Sequence, residues 1–118
     1  MNDTELERYS RHILLNEFDI VSQEKLSSAT ALMIGCGGLA NACAPILASA
    51  GLGHIIVCDG DTIELSNLQR QFAFTEADIG KHKAEVLKTY LQARNSQIQI
   101  SSIHQFVDET FLHDCLPQ

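Results

Sequence analysis

The residues that could do chemistry here begin with a glycine turn and an acid. Gly35, Gly37, Gly38 and Ala40 follow directly on an apolar run, Ala31 to Ile34. Gly35 permits a tight exit from a strand. Gly37 has no Cβ, so a phosphate can approach the backbone there. Ala40, where many such turns carry a glycine, still lets helix and strand pack closely. A helix starting at this turn would offer unpaired N–H groups and a positive dipole end to an anion. Asp59 lies about twenty residues on, at the close of a second apolar run, Ile55 to Cys58, where an acid can accept from ribose hydroxyls. Turn, helix and acid together read as a nucleotide site. A glycine turn alone would equally be packing.

Three further groups could serve the same ligand. Asn67, Arg70 and Gln71 follow the acid pair Asp59 and Asp61. Ser66 and Gln69 have capping-box spacing, so a short helical turn is expected to project these side chains from the mouth of a sheet, where ligands bind in open α/β folds. A polar surface turn would have the same composition. Lys81 and Lys83 stand at the start of a helical pattern, where cations oppose the helix dipole; a nearby anion would explain them, although lysines at helix starts are common. Arg8 and Arg11 lie on a first helix capped by Thr4 and Glu7, and a solvated face would account for them as well.

The elements that must position these groups follow from periodicity. Leu6, Tyr9, Ile13 and Leu14 mark the apolar face of the N-terminal helix. Gln23 to Leu26 suits one helical turn. The helix after the glycine turn contains Pro45, which removes a hydrogen bond to Asn41 and predicts a kink; Gly51 should end it. Gly80 to Lys83 opens a helix through about Arg94, with Ala84, Leu87 and Leu91 on one face and Val86 and Tyr90 beside it. Gln97 to His104 reads as a strand, and Asp108 caps a final helix, Glu109 to Leu116. The expected fold is α/β: a Rossmann-like βαβ unit with an N-terminal helix and a small parallel sheet of about three strands, ordered 3-2-1 with right-handed crossovers. The strands are placed at Ala31–Gly35, Ile55–Asp59 and Ile98–Ser102. Residues 1–28 form an N-terminal helical arm and residues 29–118 a nucleotide-binding portion.

Composition narrows the function. The 118 residues suit one small domain, and 45% hydrophobic content supports a modest core. A net charge of −7 argues against a nucleic-acid partner. No apolar run is long enough to span a membrane as a helix. The acidic opening, Met1 to Glu7, lacks the basic and apolar regions of a signal peptide, and Cys36, Cys43, Cys58 and Cys115 form no C-x-x-C pair. Free thiols in a reducing, cytoplasmic setting are expected, with no metal site built from them.

Arg8-Tyr9-Ser10-Arg11, Gly35-Cys36-Gly37-Gly38-Leu39-Ala40, Gly51-Leu52-Gly53, Asp59-Gly60-Asp61, Ser66-Asn67-Leu68-Gln69-Arg70-Gln71 and Gly80-Lys81-His82-Lys83 occur in the order found in the ThiF/MoeB/HesA adenylyltransferases, relatives of ubiquitin-activating enzymes. The chain resembles this family over nearly its whole length. The Asn-Leu-Gln-Arg-Gln string beyond the acid pair is far more specific than the glycine turn. The resemblance implies ATP-dependent activation of the C-terminal Gly-Gly carboxylate of a ubiquitin-like sulfur carrier, of the thiamine or molybdopterin type. By that likeness Asp59, with Asp61 beside it, serves the ribose, and Gly35, Gly37 and Gly38 receive phosphates. Arg70 and Lys83 neutralise charge at the α-phosphate while Asn67 and Gln71 orient it. Arg11 resembles the arginine that reaches into a partner protomer's site, which implies a homodimer.

The sequence also departs from the family pattern. His12 stands where glutamine is usual, and Ala40 replaces a glycine. The family's magnesium-binding aspartate, its zinc cysteines and its carrier-binding region would lie beyond Gln118; Asp114 and Cys115 are not given these roles. The chain is therefore expected to be truncated relative to the family, to use ATP and Mg²⁺ with the metal ligand elsewhere, and to be inactive alone. Two other readings remain open: a non-catalytic nucleotide-binding or dimerisation module, and an NAD-dependent oxidoreductase domain, which would leave Arg11, Arg70 and Lys83 without a role.

Overall fold

The computed structural model describes residues 2–10 and 20–106. Arg11, His12, Ile13, Leu14, Cys115 and the helix expected over Glu109 to Leu116 lie outside the described residues.

Helix α1 spans Asp3–Arg8 and α2 spans Ile20–Ser27. The cap of α1 is Asn2, not Thr4: Asn2 Oδ1 accepts from the Glu5 N–H at 2.8 Å, and Glu5 Oε1 accepts from the Asn2 N–H at 3.3 Å. Two overlapping boxes are written in this sequence, and the helix starts at the first. Helix α2 is longer than the single turn expected over Gln23 to Leu26. It is held by Gln23, whose buried Nε2 donates to the Ala50 carbonyl at 2.8 Å. Tyr9 is buried, and its hydroxyl accepts from Asn95 Nδ2 at 2.8 Å. The same amide donates to the Ala48 carbonyl at 2.9 Å. The start of the chain is thus tied to the helices that follow β1 and precede β3 through buried polar groups.

The sheet has the expected order. Strands β1 (Thr30–Ile34), β2 (His54–Cys58) and β3 (Gln99–Ile103) are parallel, with β2 central and Met33, Val57 and Ser102 in register. Each strand lies within one residue of its expected span. Ile55 and Val57 are fully buried, as a central parallel strand requires. Helix α3 (Gly38–Ala50) joins β1 to β2, and α4 (Lys83–Arg94) precedes β3. Ala40, Ala44 and Ala48 give α3 a small, buried stripe, while Leu87 and Leu91 anchor α4. Burying each such leucine stabilises the fold by about 1.5–3 kcal/mol.

Helix α3 runs uninterrupted through Pro45 and ends at Gly51, which takes φ 98°. The proline removes one backbone bond but does not break the helix, whose alanine stripe holds it in the core. Gly53 marks the tightest approach in the fold. Its N–H donates to the Leu26 carbonyl at 3.1 Å, and a Cβ there would collide with the Ser27 carbonyl.

The sheet is covered unevenly. Helices α3 and α4 pack on one another, and α4 also packs on β2 and β3. The outer edge of β1 pairs with no strand among the described residues. Ile34 and Leu39 are exposed beside a cleft of ≈ 560 Å³ along that edge.

Candidate functional site

The glycine turn leaves the carboxyl end of β1 with Gly35 at φ 85°, a left-handed conformation that disfavours any side chain. Its geometry is fixed from two sides. The Gly35 N–H donates to the Cys58 carbonyl at 2.8 Å, and the Cys36 N–H donates to Asp59 Oδ2 at 2.7 Å. Asp59 Oδ1 accepts from the Asp61 N–H at 2.7 Å. Each carboxylate oxygen can accept a second bond, so Asp59 shapes the site and still has capacity for hydroxyl donors. Ile34, Gly35, Asp59, Asp61 and Phe106 line a cleft of ≈ 210 Å³ at this end of the sheet.

The loop after Asp61 folds back over the turn. It contains two short 3₁₀ turns, Leu65–Asn67 and Glu76–Asp78. The capping interaction expected of Ser66 and Gln69 belongs instead to Asn67, whose Oδ1 accepts from the Glu64 N–H at 2.9 Å. That oxygen of Asn67 is therefore committed to the loop itself. Gln71 is buried and faces Gly37; Arg70 is exposed and faces Gly38. A Cβ built at Gly37 would lie 3.8 Å from Gln71 Nε2, and one at Gly38 would lie 3.8 Å from Arg70 Cδ. Both are ordinary contacts, so packing within the chain does not require glycine at either position. Gln71 Oε1 is buried with no hydrogen-bond partner among the described residues.

Lys81 and Lys83 separate sharply. Lys81 is exposed and its ammonium lies 3.6 Å from Asp78 Oδ1. Lys83 is 8% exposed, and its ammonium makes no ion pair or hydrogen bond among the described residues. Its backbone N–H donates to the Asp61 carbonyl at 3.1 Å, which ties the start of α4 to the acid loop. The Cys36 thiol senses this surrounding charge. It is pushed up from 9.0 to about 12, first by burial, then by the charge of Asp59 and by Cys58, while Lys83 pulls it the other way. His82, just before Lys83, stacks on His104 at the end of β3 with ring centroids 3.5 Å apart.

The fold therefore gathers Gly35, Gly37, Gly38, Asp59, Asp61, Arg70, Gln71 and Lys83 at one end of the sheet, with Asn67 in the adjoining turn. Arg11 lies outside the described residues. Sequence reasoning passed over Asn41, whose amide joins the turn to the loop. Its signal was present: an asparagine inside an alanine-rich helix competes with the helix backbone unless it finds partners of its own.

The sequence model of the ThiF family matches residues 9–118. The chain belongs to the ThiF family. It is 40% identical over 116 residues to the sulfur carrier protein ThiS adenylyltransferase of Escherichia coli K12, covering 98% of this chain and 46% of that protein. It is 39% identical over 112 residues to the molybdopterin-synthase adenylyltransferase of the same organism, covering 95% and 45%. The crystal structure of E. coli MccB with ATP superposes with a TM-score of 0.86 at 43% identity, over 99% of this chain and 36% of that one. The Rossmann-like α/β fold with its small parallel sheet is thus shared with a solved member. The chain spans less than half the length of these relatives. No helix among the described residues is long and apolar enough to cross a membrane.

Proposed function

We propose that this chain forms the nucleotide-binding part of an ATP-dependent adenylyltransferase that activates the C-terminal Gly-Gly carboxylate of a ubiquitin-like sulfur carrier. The observation that carries the reading is Lys83, whose positive charge acts on the glycine turn and has no ion pair among the described residues. That charge is available to an anionic ligand seated at the turn. The turn supports the same reading: Gly37 and Gly38 are open where nothing in the chain demands glycine, which suits a close approach by phosphate oxygens. NAD would also suit the turn and Asp59, but it gives Arg70 and Lys83 less to do.

In this reading the ribose hydroxyls donate to the free lone pairs of Asp59, with Asp61 at the rim of the same cleft. The backbone N–H groups of the turn receive phosphate oxygens. Arg70 and Lys83 offset charge as the carrier carboxylate attacks the α-phosphate. The bond to the β-phosphate breaks, pyrophosphate leaves and an acyl-adenylate remains. Asn67 and Gln71 orient the phosphates. Such chemistry rests on positioning and electrostatic stabilisation more than on covalent work by side chains.

The described residues contain no cluster of three or more His, Cys, Asp or Glu side chains able to hold a metal. In this reading, Mg²⁺ accompanying ATP would take its protein ligands from outside the described residues. We place the protein in the cytoplasm, as a homodimer in which Arg11 of one protomer serves the other's site.

Three experiments test the reading. Calorimetric titration should give saturable binding of ATP in preference to NAD; preference for NAD would overturn the proposal. Sedimentation at micromolar concentration should give a dimer, and a monomer throughout would remove the role in trans of Arg11. With a Gly-Gly-ended carrier, pyrophosphate exchange by a protein containing this chain distinguishes the enzyme from a module that only binds nucleotide.

A further inference from the structure

We propose that Asn41 is a positioning residue that locks the glycine turn and the Arg70–Gln71 loop into one phosphate-binding unit; the inference rests on the nucleotide reading above. Asn41 is 5% exposed and makes three hydrogen bonds. Its Nδ2 donates to the Cys36 carbonyl at 3.0 Å and to the Gly37 carbonyl at 2.9 Å. Its Oδ1 accepts from the Ala73 N–H at 2.7 Å. The amide has a single workable orientation, because its oxygen must face an N–H and its nitrogen must face two carbonyls.

Two consequences follow from this geometry. In a trans peptide the C=O and the following N–H point in opposite directions. Drawing the Cys36 and Gly37 carbonyls toward Asn41 aims the N–H groups of Gly37 and Gly38 the other way, out of the turn. Neither of those N–H groups has a backbone partner outside the helix among the described residues, so neither is committed there and both can serve an anion. The bond to Ala73 also sets the loop. Ala73 stands two residues past Gln71 and three past Arg70, the side chains that face Gly37 and Gly38. Among the described residues, Asn41 makes the side-chain hydrogen bond that joins turn to loop. Residues 32 apart in sequence are thereby held in register.

The test uses Asn41→Ala and Asn41→Ser in the chain. Each variant is checked for folding by circular dichroism and titrated with ATP and with adenosine well below its own Tm. Asn41→Ala should weaken ATP binding at least about tenfold and change adenosine binding less than about twofold. Asn41→Ser can still donate to the Gly37 carbonyl four residues back, so its loss should be intermediate; it also carries the test if the alanine variant does not fold. Arg70→Ala should cost less ATP affinity in the Asn41→Ala background than in the wild type, because the misplaced loop has already lost part of that contact. Folded variants with unchanged ATP affinity would overturn the proposal. So would equal losses for ATP and adenosine, which would indicate a merely structural amide. A wild type that binds neither ligand would overturn the nucleotide reading and this inference with it, which separates that failure from the failure of Asn41 alone.

Discussion

Asp59 at the end of β2 accepts the Cys36 N–H at 2.7 Å, so the acid that lines the cleft at this end of the sheet also holds the glycine turn leaving β1. The two halves of the site are therefore mechanically one. Replacing Asp59 with alanine removes a charged acceptor and strands the Cys36 N–H and the Asp61 N–H. Hydrogen bonds to charged groups contribute about 1.5–3 kcal/mol each. Asp59→Ala should lower the Tm and weaken adenosine and ATP alike, each by at least about tenfold. Calorimetry checks this, and a variant that loses ATP while keeping adenosine would place the ribose elsewhere.

Lys83 should show the opposite relation between stability and binding. Lys83 is 8% exposed and has no ion pair among the described residues, so without ligand an apolar side chain of the same length suits the largely buried stem better. Lys83→Met keeps the aliphatic length and removes the charge. The variant should melt higher than wild type, with a gain on the order of 1 kcal/mol, while its ATP affinity falls at least about tenfold and adenosine binding is spared. Arg70→Ala, on an exposed residue, should reproduce the selective loss of ATP without the gain in Tm. A Lys83→Met protein that is less stable and binds ATP normally would sink the assignment.

The sequence was most readable where one period ran without competition. Helix α4 is recovered from Lys83 to Arg94 because Ala84, Leu87 and Leu91 repeat on one face, and all three are fully buried. Strands β1 and β2 are recovered because short apolar runs ended in glycine or acid, and β3 because Ile98, Ile100 and Ile103 alternate imperfectly with polar residues. Caps were harder, since Asn2 with Glu5 and Thr4 with Glu7 obey the same local rule and only the path of the chain selects between them. Pro45 pointed to a kink, and the helix continues through it from Gly38 to Ala50. Within the site, the residue types gathered around the turn could be read from order and spacing. The difference between Lys81 and Lys83 could not, because two neighbouring lysines look alike until a fold buries one of them. Asn41 was hidden for a related reason: its partner Ala73 is distant in sequence and contributes only backbone.

Two glycines should differ in what they tolerate. Gly35 has open space around its absent side chain but a φ of +85°. Gly35→Ala should therefore cost only the left-handed conformation, about 1–2 kcal/mol. Gly53→Ala drives a methyl group into the Ser27 backbone carbonyl, which cannot move without disturbing the end of α2. Chemical denaturation should show the larger loss for Gly53→Ala. If Gly35→Ala proved the worse of the two, backbone strain would outweigh the close approach and the ranking would be wrong.

The thiols should report folding through pH. Cys36 is fully buried and its thiol is pushed up from 9.0 to about 12, mainly by burial and then by Asp59. Between those two values an unfolded chain releases the Cys36 proton and the folded chain retains it. The unfolded state then binds fewer protons, so the slope of unfolding free energy with pH is negative. This contribution is absent below about pH 9 and grows as pH rises toward 12. Because the thiolate is the nucleophile, Cys36 and buried Cys58 should resist alkylation at pH 8, and of these three described thiols half-buried Cys43 should react first. Peptide mapping after iodoacetamide treatment, with and without denaturant, checks the order. Rapid labelling of Cys36 in the native protein would mean that the glycine turn opens far more readily than its bonds to Cys58, Asp59 and Asn41 allow.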